Sequence, residues 1–251
     1  MGRIIVISED RPRANDDLAC ENRGEFVRHG VFVTSLAGAS GSGKTSLLER
    51  TIPLLLGAQY RVGVIVGDVE TDRDARRIAA LEVPVVQIIT NGMCHLEARM
   101  ISDALRKMDL EQVDLLFIEN VGGLICPASY DLGEHLRVVV MSVTEGEDKP
   151  LKYPGTFRRS HGLVITKTDL LPFLFYNLAD ASESALAVNV NLRIFQVAST
   201  TGEGVQEWVD WLLRAFRRCA VPWSQPPGSG RLNRVASEAA APPRSADEDP
   251  Q

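Results

Sequence analysis

The chain has 251 residues, 45% of them apolar, enough for a sizeable core in one large domain or two small ones. Its 27 Lys and Arg against 33 Asp and Glu leave a formal charge of −6, so the cationic excess that grips a phosphate backbone is missing, and nucleic acid is excluded as a partner. No apolar run has the length of a signal peptide or a membrane span, and four cysteines, Cys20, Cys94, Cys126 and Cys219, are too few and too scattered for a disulfide framework. The expectation is a soluble cytoplasmic protein that does not touch a membrane and whose thiols are free or bind metal.

Taken in chain order, residues 1–30 read as an N-terminal segment with a helix over 16–28. Apolar, β-branched runs then recur at 31–38, 61–68, 83–90, 114–121, 137–146, 162–169 and 193–200, with helices expected over 44–56, 95–108, 174–187 and 203–218. Apolarity that is continuous rather than alternating means strands covered on both faces. This predicts an α/β fold with a mostly parallel sheet of about seven strands and helices on both faces, over residues 31–221. Pro53 is expected to kink or end the second helix. In the last helix, Val205, Trp208, Val209, Leu212 and Phe216 recur at helical spacing and read as core. From 222 to 251 the Pro, Gly, Ser and charge content reads as a disordered tail.

The first strand runs into "GASGSGKT", 38–45, followed by a helical segment, the context a phosphate-binding loop requires. Gly38, Gly41 and Gly43 free the backbone N–H groups, with those of Ser42 and Ser46, to point at phosphate oxygens. Lys44 reaches the β- and γ-phosphates, and Thr45 is placed to ligate Mg²⁺. "TKTD", 166–169, closes the sixth strand at the carboxyl edge, where open α/β sheets bind nucleotides. There the Asp169 carboxylate can accept from guanine N1–H and the 2-amino group while the Lys167 stem packs along the base. Adenine would leave that carboxylate unpaired, so GTP and GDP are the expected nucleotides. Ser199 and Thr200, at the end of the seventh strand, would add backbone contacts to the base. Asp68 and Glu119 end two other buried strands. Glu119 through Gly122 reads as the segment that holds the Mg²⁺ shell and offers an N–H to the γ-phosphate, and Asp68 as the group that orients water or a Mg²⁺-bound water. Lys44, Asp68 and Glu119 are the catalytic candidates.

"NGMCHLEARM", 91–100, sets Cys94 beside His95 just after the third strand, and Cys126 follows Gly122 by four residues. If the ends of the third and fourth strands are neighbours, their loops bring the three together; thiolate plus imidazole suits Zn²⁺ or Ni²⁺. Three ligands leave a four-coordinate ion short by one, which water, another side chain or a second chain would supply.

"NRGEFVRHG", "GSGKT", "GDVETDRDARRI", "CHLEA", "DLLFIENVGGLICPASYDLGE", "TEGEDKPLKYP" and "TKTDLLP" stand in the order found in the HypB family, the nickel-incorporation GTPases of nickel–iron hydrogenase maturation, and the resemblance covers about residues 15–215. It implies a P-loop NTPase fold of the SIMIBI GTPase type and a GTP-hydrolysing nickel metallochaperone in which Cys94, His95 and Cys126 bind nickel or zinc. It further implies a homodimer promoted by GTP, a second nickel-binding maturation factor of HypA type as partner, and the hydrogenase large-subunit precursor as recipient. The chain departs from some relatives in lacking a Cys-rich or His-rich nickel stretch near the N-terminus, and Thr166 stands where Asn is more usual. Lys149 and Lys152 match a family loop near the nucleotide, but a solvated charged loop explains them equally. Three other functions fit the sequence less well. A urease-accessory GTPase places a Pro between Cys and His, which "CHLEA" lacks. A P-loop kinase with Arg158 and Arg159 as a lid gains nothing from "TKTD". A nucleotide-stabilised structural zinc protein would need a fourth ligand.

Overall fold

The computed structural model describes residues 11–220, and the tail expected over 222–251 lies outside them, as do residues 1–10. Seven strands form one sheet: β1 (Phe32–Ala37), β2 (Val62–Asp68), β3 (Val85–Ile89), β4 (Leu115–Glu119), β5 (Leu136–Ser142), β6 (Gly162–Thr166) and β7 (Arg193–Val197). Every pairing is parallel, in the order β3-β2-β4-β1-β5-β6-β7. Each expected strand is present. The helices are α1 (Arg11–His29), α2 (Lys44–Gly57), α3 (Arg73–Ala79), α4 (Ala98–Leu105), the short α5 (Lys149–Lys152) and α6 (Pro154–Arg158), α7 (Leu178–Val188) and α8 (Val205–Ala220).

Register assigns the layers. Val33, Ile65, Leu116 and Ile118 project to one face and meet Phe26 of α1 and Ile101, Ala104 and Leu105 of α4; further along the same face Val139, Met141, Leu163 and Ile165 meet Phe157 of α6 and Ala181 and Ala185 of α7. Phe195, on the opposite face, packs edge-on against Trp208 of α8, whose indole N–H donates to Thr51 Oγ1 of α2 at 3.0 Å. Both faces are therefore covered, as the continuous apolar runs imply. Val205, Trp208, Val209, Leu212 and Phe216 are all buried. By compactness the chain divides after Leu212, and the described part of the second unit is the end of α8.

Three expectations need correction. α2 continues through Pro53 to Gly57: a proline inside a helix costs about 3 kcal/mol, and burial of Leu47, Leu48, Ile52 and Leu55 along the same helix offsets it. α3, in the run after Asp68, was not anticipated, since seven residues are too short to show a clear period. β3 and β4 are not neighbours, because β2 lies between them.

The chain turns from β1 through α2 to β2 on one side of the sheet, and crosses from β4 to β5 on the other side of β1. The carboxyl end of β1 is thus the topological switch point, where such sheets bind ligands.

Candidate functional site

The loop from β1 to α2 wraps that switch point. Gly43 sits at φ 94°, a conformation that glycine takes without strain, and lets the loop turn into the first residue of α2. Lys44 is buried, and its Nζ donates to Gly38 O at 3.1 Å and Ala39 O at 3.2 Å. Burial pulls its pKa down against the opposing pull of Glu119. Glu119 ends β4 and is equally enclosed; burial pushes its carboxyl up to about 7 although Lys44 and Thr45 favour the charged form. Thr45 Oγ1 donates to Glu119 Oε1 at 2.8 Å, while the buried Glu119 Oε2 has no hydrogen-bond partner.

Those groups line a cleft of about 210 Å³ together with Gly41, Ser46, Asp68, Gly122 and Lys167. Burial pushes the Asp68 carboxyl up, but the N–H groups of Thr71 (2.7 Å) and Glu70 (2.9 Å) donate to its Oδ1 and together hold it below the usual range. Asp74 and Arg77 of α3 line the cleft too. Arg77 donates to both Glu49 carboxylate oxygens, to Asp74 and to Ser46 Oγ, fastening α3 to α2 at the mouth. Sequence reasoning missed these two; the acidic and basic cluster just after the Asp68 strand end was the available signal.

The guanine motif is braced against the phosphate loop. Thr166 is buried and its Oγ1 donates to Ser42 O at 2.5 Å, so the threonine that stands in the asparagine position ties β6 to the loop. Lys167 turns away at φ 60° and lines the cleft. Asp169 accepts from Thr200 Oγ1 at 3.0 Å, and Arg50 of α2 donates to Ser199 O (2.5 Å) and Thr200 O (2.7 Å). The loop after β7 is thereby fixed to both α2 and the end of β6.

Cys94, His95 and Cys126 converge as expected: one potential ligand atom from each lies within 4.8 Å of the others. The Cys94 and Cys126 sulfurs are 2.7 Å apart, both thiols are free, and His95 Nδ1 lies 3.9 Å from Cys94 Sγ. The hydrogen bond to Cys94, then burial, raises the Cys126 pKa. His95 stacks on Tyr130 at 4.1 Å between centroids.

The convergence arises differently from the expectation. The loop after β3 doubles back across the end of β2, where Gly67 leaves room for Leu96; a Cβ at 67 would stand 2.8 Å from the Leu96 methyls. Two amides of α1 then pin the loops that carry these three side chains. Asn15 accepts from Ala98 N and donates to Asp131 O, each at 2.8 Å, and Asn22 donates to Ala98 O at 2.8 Å and to Leu132 O at 3.3 Å. Lys149 pairs with Glu145 and Lys152 with Asp148, so these two belong to local ion pairs in the loop after β5.

A phosphate loop at the switch point of a parallel sheet, with a lysine–aspartate edge two strands along, defines a P-loop GTPase. A family profile described as CobW/HypB/UreG, nucleotide-binding domain, matches residues 32–196. The hydrogenase maturation factor HypB of Azotobacter vinelandii is 48% identical over 212 residues, which cover 84% of this chain and 70% of the relative. Among solved structures, HypB from Archaeoglobus fulgidus aligns with TM-score 0.76 at 38% identity, covering 81% of this chain and 99% of that one. HypB from Helicobacter pylori in complex with nickel aligns with TM-score 0.78 at 33% identity, covering 86% and 99%. The chain belongs to the HypB family of hydrogenase maturation factors, and it is a GTPase.

Proposed function

We propose that this GTPase carries nickel on Cys94, His95 and Cys126 and that the nucleotide state sets how tightly the ion is held. The observation that carries the reading is the shared backbone: Glu119 at the floor of the phosphate cleft and Cys126 in the metal cluster belong to one segment, tied to the phosphate loop by Gly123 N donating to Gly38 O at 3.0 Å. The nickel complex of the Helicobacter pylori relative supports nickel as the cargo. Three ligands per chain favour a second copy, water or a recipient protein as the source of the remaining bond.

Lys44 and the loop N–H groups would neutralise charge on the transferring phosphoryl group. The chemistry of Thr45 and Glu119 fits Mg²⁺: a hydroxyl and a carboxylate face one cleft, with a buried carboxylate oxygen that still needs a partner. When bound there, Mg²⁺ supplies charge neutralisation between the phosphates. Asp68, held by two backbone N–H groups, would orient the attacking water from the end of β2. Lys167 and Asp169 would read guanine, with Ser199 and Thr200 presented by Arg50.

On this reading GTP promotes a homodimer, a second nickel-binding maturation factor exchanges metal with it, and a hydrogenase large-subunit precursor receives the ion, all in the reducing cytoplasm. Residues 31–221 carry the GTPase chemistry. No helix among the described residues is long and apolar enough to cross a membrane. The deciding experiment compares nickel affinity with GDP and with a non-hydrolysable GTP analogue. A difference of about tenfold, equivalent to about 1.4 kcal/mol, is expected; equal affinities would remove the coupling.

A further inference from the structure

The two halves of the metal cluster are connected to the cleft in different ways. Cys126 rides on the segment that continues from Glu119. Cys94 and His95 belong to the loop after β3, a strand that β2 separates from β4. A switch that moved the Glu119 segment alone would shift one thiol and leave the other two ligands behind.

One side chain bridges that gap. Asn120 is 4% exposed and lines the cleft with Lys44, Thr45 and Glu119. Its Oδ1 accepts from Leu96 N at 3.1 Å, the residue next to His95, and from Val121 N at 2.9 Å. The Asn120 backbone N–H donates to Leu36 O at 3.0 Å, in the strand that leads into the phosphate loop. Leu96 is fully buried over Gly67, and its buried N–H takes Asn120 Oδ1 as its acceptor. On the far side, Asn15 and Asn22 of α1 anchor both loops at Ala98 and at Asp131 and Leu132. Leu96 stands two residues before the anchored Ala98 and directly after His95, with Cys94 and His95 on its unanchored side. A displacement at Asn120 is therefore taken up at Cys94 and His95 rather than passed beyond them.

We infer that Asn120 is a positioning residue that relays the nucleotide state to Cys94 and His95 through its hydrogen bond to Leu96 N. When a triphosphate rearranges residues 119–122, the amide oxygen moves and the Leu96 N–H follows. Both halves of the cluster then respond together. The inference rests on the nucleotide–nickel coupling proposed above.

The test uses the full chain, nickel alone as the probe, and saturating GDP or a non-hydrolysable GTP analogue. The parent should show an affinity ratio of about tenfold between the two nucleotides. In Asn120→Ala that ratio should fall to within about twofold of one, while Asn120→Asp, which keeps an acceptor oxygen in place, should retain most of it. The His95 ring resonances in NMR, without metal, should move between nucleotide states in the parent and stay fixed in Asn120→Ala. A merely structural role would not produce that selective loss. If Asn120→Ala does not fold, Asn120→Ser decides in its place, since a hydroxyl keeps a local acceptor but does not reach Leu96. A parent ratio of one would remove the coupling and the relay together. A parent ratio of about tenfold that persists in the alanine or serine variant would leave the coupling and overturn the relay.

Discussion

The phosphate cleft and the metal cluster lie at the same edge of the sheet but are built on opposite principles. Lys44, Thr45 and Glu119 are each no more than 6% exposed and are already bonded to one another or to the loop. Cys94 is exposed, Cys126 and His95 are half-buried, and their positions are set by side chains reaching in from α1 and from Asn120. Phosphoryl transfer gains from a dry site in which fixed charges act at full strength. A cargo ion must be reachable by the protein that receives it. The difference teaches that this edge pairs an enclosed half suited to consuming nucleotide with an open half suited to presenting a metal ion.

The largest expected effect tests whether the halves are separable. Lys44→Ala should lower GTP turnover by at least about a hundredfold while nickel affinity without nucleotide stays within about threefold of the parent; loss of both in a folded variant would break the comparison. Cys126→Ser should weaken nickel binding by about ten- to a hundredfold or more and spare GTP binding, as a nickel titration beside a nucleotide titration will record. Asp169→Ala should reduce the preference for GTP over ATP by about tenfold to a hundredfold, equivalent to about 1–3 kcal/mol, and leave nickel affinity unchanged.

A pH test sharpens the enclosed half. The Glu119 carboxyl, near 7 in the fold against an ordinary 4.5, holds a proton that the unfolded chain has already lost between those values. Its contribution to stability is complete below the ordinary value and is lost as pH rises through about 7. The melting temperature of the nucleotide-free protein should fall by several degrees from about pH 5 to about pH 8, and Glu119→Gln should flatten that slope. The smallest effect belongs to the rim. Arg50 is exposed, so Arg50→Ala should cost about two- to fivefold in GTP affinity, measured by nucleotide titration, through a looser 199–200 loop.

Much of this was legible because its signals are contiguous. Eight residues write the phosphate loop, and covered parallel strands announce themselves as unbroken apolar runs. Pro53 does not end α2, because the four buried leucine and isoleucine side chains around it hold the helix together beyond what local propensity shows. The metal cluster was located through a neighbour relation between β3 and β4 that the sheet does not contain. What joins the segments is a loop crossing Gly67 and the amides Asn15, Asn22 and Asn120, and a lone asparagine far along the chain carries no period or spacing that would point to its partner. Asp74 and Arg77 do have a local signal in the charge cluster after Asp68, but their roles exist only once α3 lies against α2.

The open position of Cys94 bears on how an ion would leave. A thiolate at the surface beside a half-covered one lets an incoming ligand bond to the metal before either sulfur releases it. Substitution would then run associatively, with coordination number rising in transit, and the exchange rate would depend on the concentration and nucleophilicity of the acceptor. A chelator titrated against the loaded protein would then strip it faster at higher chelator concentration, instead of levelling off at a limit set by spontaneous release.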